Sequence, residues 1–294
     1  MPLPLLLPLA GAMVYALAAV SLKLALSRGA NIWAVTFLSN MAMGLVFLPM
    51  LLFCRDSWSP GHLGWALGAG ALFFGGQIAT FRALAGGDVS IATPALASKV
   101  VFVALLSLAV PGSRPDPDLW LAVGLTMAGR ILLNRSPRAR QASRPLVTIG
   151  WSLLAALSFA VTDILVQVGA PRAGFTIFMP VMFGVVALVS VPTLGPRLPR
   201  GGAARVRPGA WRWGALGVIL LALQATTLAA AIGIYGDAAG VNVVYGSRGL
   251  WSVILVALVA RHLGVAEGTH DPRTLFDRLT GSVLILAAVI AVVR

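Results

Sequence analysis

Two cations stand where lipid tolerates charge least. Lys99 and Arg248 each lie near the middle of a long apolar run. Taking roughly 1.5 Å per helical residue, each is about 15 Å from its helix ends, too far for a side chain to reach the headgroups. A cation at that depth costs about 2.5–3.5 kcal/mol on insertion scales. The deep carboxylate is Asp163, and the only glutamate of the chain, Glu267, falls in a loop. Two readings are open. In one, Asp163 pairs with one cation and the other meets helix carbonyls or water. In the other, Lys99 and Arg248 border a wet cavity and receive an anionic group, carboxylate or phosphate, with Asp163 as counter-ion or proton carrier.

Other polar residues fill out this set. Gln77, Gln224, Asn242 and Tyr245 offer hydrogen bonds to a solute, or serve as interhelical glue. Tyr245 is three residues before Arg248 and shares its helical face. Lys23 and Lys99 are the only lysines in a chain otherwise rich in arginine. A compact ammonium differs from a planar guanidinium in reach and hydration, so Lys23 joins the candidates. Lys23, Arg82 and Arg130 lie nearer helix ends, where snorkelling also explains them. Asp88 and Asp237 stand where carboxylates cap helix N-termini. Pro94 interrupts the hydrogen-bond ladder just before Lys99 and is a candidate hinge.

Catalysis has little to work with. An intramembrane enzyme needs clustered His, Asp, Glu, Ser or Cys at depth, and Asp163 has no histidine beside it. His62, His262 and His270 all fall in expected loops. The single cysteine, Cys54, makes no internal disulfide, and no CxxC or His/Cys cluster suggests a metal. Neither an enzymatic role nor a cofactor is expected.

The elements that position these residues follow from composition. Of 294 residues, 59% are hydrophobic and 11% charged, and the mean hydropathy is +0.91. A soluble domain keeps about 25% of its residues charged, so lipid is the expected solvent here. Ten helical spans are predicted, near 4–26, 32–53, 63–85, 89–110, 119–134, 148–169, 174–194, 213–235, 238–259 and 279–293. The first run is too long for a cleavable signal and lacks a preceding basic flank. Turn chemistry marks the breaks, as at Ser59-Pro60-Gly61 and Gly195-Pro196. The net charge of +13 reflects loop arginines that orient a membrane protein and meet anionic lipid, not a nucleic-acid surface. Arg135, Arg138, Arg140 and Arg144 follow span five, and Arg197, Arg200, Arg205 and Arg207 follow span seven. The positive-inside rule places these loops in the cytoplasm and both termini outside.

A duplication organises the chain. Gly87-Asp88 opens span four and Gly236-Asp237 opens span nine, 149 positions later. Without a gap, Ser98-Lys99 then falls on Ser247-Arg248. Upstream, Trp65 and Gln77 correspond to Trp213 and Gln224 with small gaps. Five spans per copy is odd, so consecutive copies, 1–145 and 146–294, must run through the membrane in opposite senses. The expected fold class is an all-α membrane protein with ten transmembrane helices as two inverted five-helix repeats. That is a plan of secondary transporters, with substrate held near the midplane between repeats.

The segment Tyr15-Ala16-Leu17-Ala18-Ala19-Val20-Ser21-Leu22-Lys23 resembles the first helix of the drug/metabolite transporter superfamily, in its ten-helix EamA-like branch. Phe81-Arg82-Ala83-Leu84 through Ile91-Ala92-Thr93-Pro94 to Leu105-Leu106 is similar to that family's third and fourth helices. Gly124-Leu125 and Gly281-Ser282-Val283-Leu284 resemble its Gly-rich fifth and tenth helices. The pattern departs from the family after span four, where Val110-Pro111-Gly112-Ser113 lacks the usual glutamate. The resemblance implies alternating-access export or exchange of a small metabolite across the cell (inner) membrane. It also implies cytoplasmic termini, in conflict with the arginine distribution. A related branch of plastid phosphate translocators binds anions with basic residues on helices four and nine, the places of Lys99 and Arg248. The expected substrate is therefore a small anion. Export of neutral or aromatic amino acids is the alternative within the family, and a non-transporting receptor or assembly protein the alternative class. Multidrug relatives hold cations on a first-helix glutamate, which this chain lacks.

Overall fold

A computed structural model describes residues 3–54, 60–86, 89–113, 116–133, 145–198, 209–252, 254–255 and 272–293. Among these the regular structure is helical, with no strand. The elements are α1 (Leu3–Ser27), α2 (Ile32–Phe47) continued by a 3-10 turn (Leu48–Phe53), α3 (Pro60–Gly86), α4 (Val89–Ala97) and α5 (Lys99–Ser107). They continue as α6 (Pro117–Leu133), α7 (Pro145–Ala173), α8 (Phe175–Leu194), α9 (Ala210–Tyr235) and α10 (Ala238–Gly246). Residues 248–252 are helical again, and the last helix, α11, is Pro272–Val293. Six stretches are long and apolar enough to cross a membrane: Leu6–Ser27, Ile32–Phe53, Gly61–Leu84, Pro145–Ala173, Phe175–Arg197 and Ala210–Tyr235.

The remaining expected spans are shorter or broken. The fourth is split between α4 and α5, and the ninth breaks after α10. The tenth begins seven residues earlier than its apolar core, so Asp277, expected before the span, lies inside α11. His62, expected in a loop, sits in the first turn of α3. Both shifts share a cause: polar residues extend a helix beyond the apolar stretch that hydropathy detects. His262 and His270 lie outside the described residues, as do Gly87, Asp88 and the arginine loops at 134–144 and 199–208.

Helix boundaries follow local chemistry. The Asn31 side chain accepts hydrogen bonds from the N–H groups of Trp33 and Ala34 and so starts α2. At the junction of α9 and α10 the Gly236-Asp237 pair divides the task. Gly236 takes φ 68°, which a side chain would strain, while its N–H closes α9 on Ile232. Asp237 then accepts from the N–H of Gly240 and caps α10, as expected.

The helices pack in four main pairs: α1 with α9, α3 with α7, α6 with α11, and α2 with α8. Small residues permit the close crossings. A Cβ on Gly129 of α6 would stand 2.7 Å from the Gly281 carbonyl oxygen of α11. One core gathers Met43, Phe47, Met179, Met182 and Phe183, with Phe47 and Phe183 stacked at 4.8 Å. The outer faces are apolar, with Leu45, Leu52, Leu188 and Ile219 exposed, the reverse of a water-soluble bundle. Lipid is the partner for such a surface.

Candidate functional site

Where α7 meets α5 and α10, one carboxylate gathers two donors. Asp163 of α7 lies 2.7 Å from the Lys99 ammonium. The Asn242 amide donates to the same carboxylate oxygen at 2.6 Å and to the Ala238 carbonyl at 2.8 Å. One turn along α7, the Gln167 side-chain oxygen accepts from the Ala238 N–H at 3.2 Å. Asp163 and Gln167 thus fasten α10 to α7 at two successive turns. The Lys99 and Asp163 side chains keep 16% and 10% of their surface accessible, so the pair is not sealed.

Arg248 is held differently. Its guanidinium stands 4.6 Å from the ring centres of both Tyr15 and Tyr245. The two rings meet edge to face at 6.1 Å and 78°. A desolvated cation over an aromatic face gains on the order of 2 kcal/mol. Two faces make a seat for the charge without consuming it, as a carboxylate would.

Lys99 and Arg248 begin their helices in the same way. Ser98 and Ser247 adopt nearly identical backbone angles, φ −59° and −61° with ψ −12° and −13°. Each serine N–H bonds three residues back, to Ala95 or Val244, in place of the α-helical four. The α-ladder then resumes from the serine carbonyls to Phe102 and Trp251. Pro94 helps to loosen the first copy, since it brings no N–H to the ladder. Each cation therefore follows a one-residue tightening of its helix.

The other expected residues separate from this cluster. Gln77 exchanges two 2.9 Å hydrogen bonds with Asn40, which also donates to Ser190 at 2.8 Å. This knot ties α2, α3 and α8 together. Gln224 is buried on α9, whose face packs against α1 near Gly11. Lys23 is exposed near the end of α1. Arg82 lies 4.8 Å from the Trp151 ring centre.

Three residues at the centre were not expected there. Tyr15 was read as part of an apolar helix, and Gln167 as an unremarked polar residue in a span. Arg130 was assigned to a helix end, yet it lies within electrostatic range of Arg248, Tyr245 and Tyr15. One signal was available for Tyr15. It stands 148 positions before Asp163, close to the offset of 149 that relates the two cations. Lys99, Arg130 and Arg248 thus surround the single carboxylate of Asp163.

Above this cluster a cavity of about 640 Å³ opens at one end of the bundle. Its walls include Gly112, Asp116, Asp118, Gln167, Arg172 and Asp237. Gln167 is one helical turn from Asp163, so the floor of the cavity lies roughly 6 Å above the ion pair. Among the described residues no group of three or more His, Cys, Asp or Glu stands ready for a metal.

Residues 3–135 match the profile of the EamA-like transporter family. No curated protein matches the chain. A solved structure, described only as a crystal structure of a protein, superposes with a TM-score of 0.72. It shares 15% identity, with 98% of this chain and 96% of that one covered, and at that identity it attests the fold alone.

Proposed function

Because the chain belongs to the EamA-like transporter family through its residues 3–135, we propose that it is a secondary transporter of a small anionic metabolite. The single observation that carries the anion is the state of Arg248. It is held in the membrane by two tyrosine faces, while Asp163 is committed to Lys99. A carboxylate or phosphate descending past Gln167 meets a guanidinium whose donors can be redirected to it. Guanidinium is suited to that task because it binds oxyanions in a planar, two-pronged fashion. The substrate also competes with Asp163 for Lys99, and Asn242 then holds the displaced carboxylate.

The proposed architecture is ten spans in two inverted repeats. Three observations support it. Helix pairing respects the exchange of repeats: α1 on α9 mirrors α7 on α3, with the first and eighth spans standing for the sixth and third. The Ser98 and Ser247 tightenings coincide in angle and hydrogen-bond pattern. The contact of Lys99 with Asp163 of α7 corresponds to that of Arg248 with Tyr15 of α1. Alternating access follows from rocking such halves about a midplane site. The arginine loops place the bottom of the bundle in the cytoplasm of a cell membrane, and the cavity above Asp163 then opens outward.

The test is counterflow in liposomes with succinate, glycerol 3-phosphate and tyrosine as probes. We expect exchange of an anionic probe by the natural chain and its loss in Lys99→Ala and Arg248→Ala, with both variants still folded. Full activity of both variants overturns the site. One observation favours a second reading. Asp163 beside Lys99, with two tyrosine rings nearby, also complements a zwitterion with an aromatic side chain. Exchange of tyrosine but of neither anion selects that reading.

A further inference from the structure

Among the described residues, three buried side-chain polar atoms have no hydrogen-bond partner: Thr126 Oγ1, Ser247 Oγ and Trp251 Nε1. All three lie along one seam. Ser247 and Trp251 are four residues apart and share a helical face. Gly246 packs on Thr126, where an added Cβ would come within 2.9 Å of Thr126 Cγ2. Further down, a Cβ on Gly249 would stand 3.2 Å from Leu133 of α6. The two segments therefore run side by side in the same direction. Arg130, one turn beyond Thr126, belongs to the same stretch and feels the charge of Arg248.

Buried donors without partners are rare in folded proteins, and each one demands a reason. A random packing fault does not put three of them on one seam beside two guanidinium groups. The groups are also the right ones for an oxyanion: two hydroxyls, an indole N–H and two cations, with no carboxylate among them. Thr126 and Ser247 are 0% and 3% exposed, so the seam is shut in this conformation. Its place is informative. The cavity opens where α6 begins, at Asp116 and Asp118. Thr126, Arg130, Ser247 and Trp251 lie toward the opposite end, where α6 terminates at Leu133.

We propose that Thr126, Arg130, Ser247 and Trp251 form a second oxyanion subsite, closed here and exposed when the bundle opens on its arginine-rich side. The substrate class is the carboxylate or phosphate ester already inferred, and the inference rests on the transport reading for the existence of a second open state. An anion leaving Arg248 passes to hydroxyl and indole donors that are otherwise unpaired, so these donors gain hydrogen bonds in the open state. The seam is thus a polar inner gate and not a hydrophobic plug.

The experiment uses single cysteines in a Cys54→Ser background, T126C and S247C, with Q167C marking the outer cavity. Vesicles expose either the arginine-rich side or the opposite one. The probes are two methanethiosulfonates of similar size, one bearing a sulfonate and one a trimethylammonium. Rates are corrected for each reagent's reaction with a free thiol. We expect T126C and S247C to react from the arginine-rich side and Q167C from the other. The anionic reagent should lead the cationic one at S247C by on the order of tenfold, and Arg130→Gln should shrink that ratio toward one. No modification of T126C and S247C from the arginine-rich side, or equal rates for the two reagents, overturns the subsite. Thr126→Val gives an independent check. Loss of an unpartnered hydroxyl should leave the melting temperature unchanged while slowing anion counterflow, whereas a fall in melting temperature with unchanged counterflow counts against the proposal. Counterflow in the same vesicles separates the two ideas. Exchange of a probe without cysteine modification removes the subsite alone, and charge-selective modification without exchange of any probe removes the transport reading alone.

Discussion

Asp163 and Lys99 show how a buried ion pair divides stability from function. Removing one partner leaves the other charge uncompensated, which costs about 3 kcal/mol or more, whereas replacing both by apolar groups is often neutral. Asp163→Asn should therefore lower the unfolding free energy by about 3 kcal/mol in detergent, and Lys99→Met with Asp163→Asn should recover most of it. Transport should fail in both. Denaturant unfolding of the single and double variants checks the first statement, and counterflow checks the second. Gln77 supplies the contrast. Its amide is spent on Asn40, and an interhelical bond of that kind is worth about 1 kcal/mol in a membrane bundle. Gln77→Leu should lose about that much stability and leave the apparent substrate affinity unchanged. A changed affinity would return Gln77 to the site.

At the level of elements, the crossings of small residues decide which helices can approach. Gly129 and Gly281 bring the backbones of α6 and α11 together, each Cβ position already facing the other's carbonyl oxygen. Gly129→Ala introduces a methyl where none fits, and overpacking of this kind costs about 1–3 kcal/mol. The expected result is a lowered melting temperature, read on purified protein. The tightenings at Ser98 and Ser247 belong to the same scale. They re-aim the helix at the residue that carries the charge, because a 3-10 step advances the chain by a larger angle than an α step. This is why each cation faces the interior although its helix is otherwise apolar on every side.

For the whole molecule, orientation is the open consequence. With the arginine loops in the cytoplasm, both termini lie outside. Alkaline phosphatase fused at the C-terminus should be active and a fluorescent protein dark, and the opposite pattern would reverse the assignment and turn the cavity inward. The charge gradient along the axis has its own meaning. Asp116, Asp118 and Asp237 surround the outer mouth while Lys99, Arg130 and Arg248 stand below it. Carboxylates at the mouth slow the capture of anions from outside, which favours release over uptake on that side.

Composition, hydropathy and the offset of 149 were enough to establish a helical membrane chain and to pick out Lys99, Arg248 and Asp163, because lipid makes any deep charge conspicuous in one dimension. Asp237 as a helix cap was legible for a similar reason: capping depends on near neighbours in sequence. Tertiary structure alone decided which cation takes the carboxylate, since the Asp163 pairing depends on how α7 lies against α5 and α10. It also separated Gln77 from Asn242, two amides alike in sequence, by giving one a partner on α2 and the other a place beside Asp163. Arg130 and Tyr15 were hidden for the same physical reason: distance from a helix end is readable along the chain, but the neighbour across a helix crossing is not.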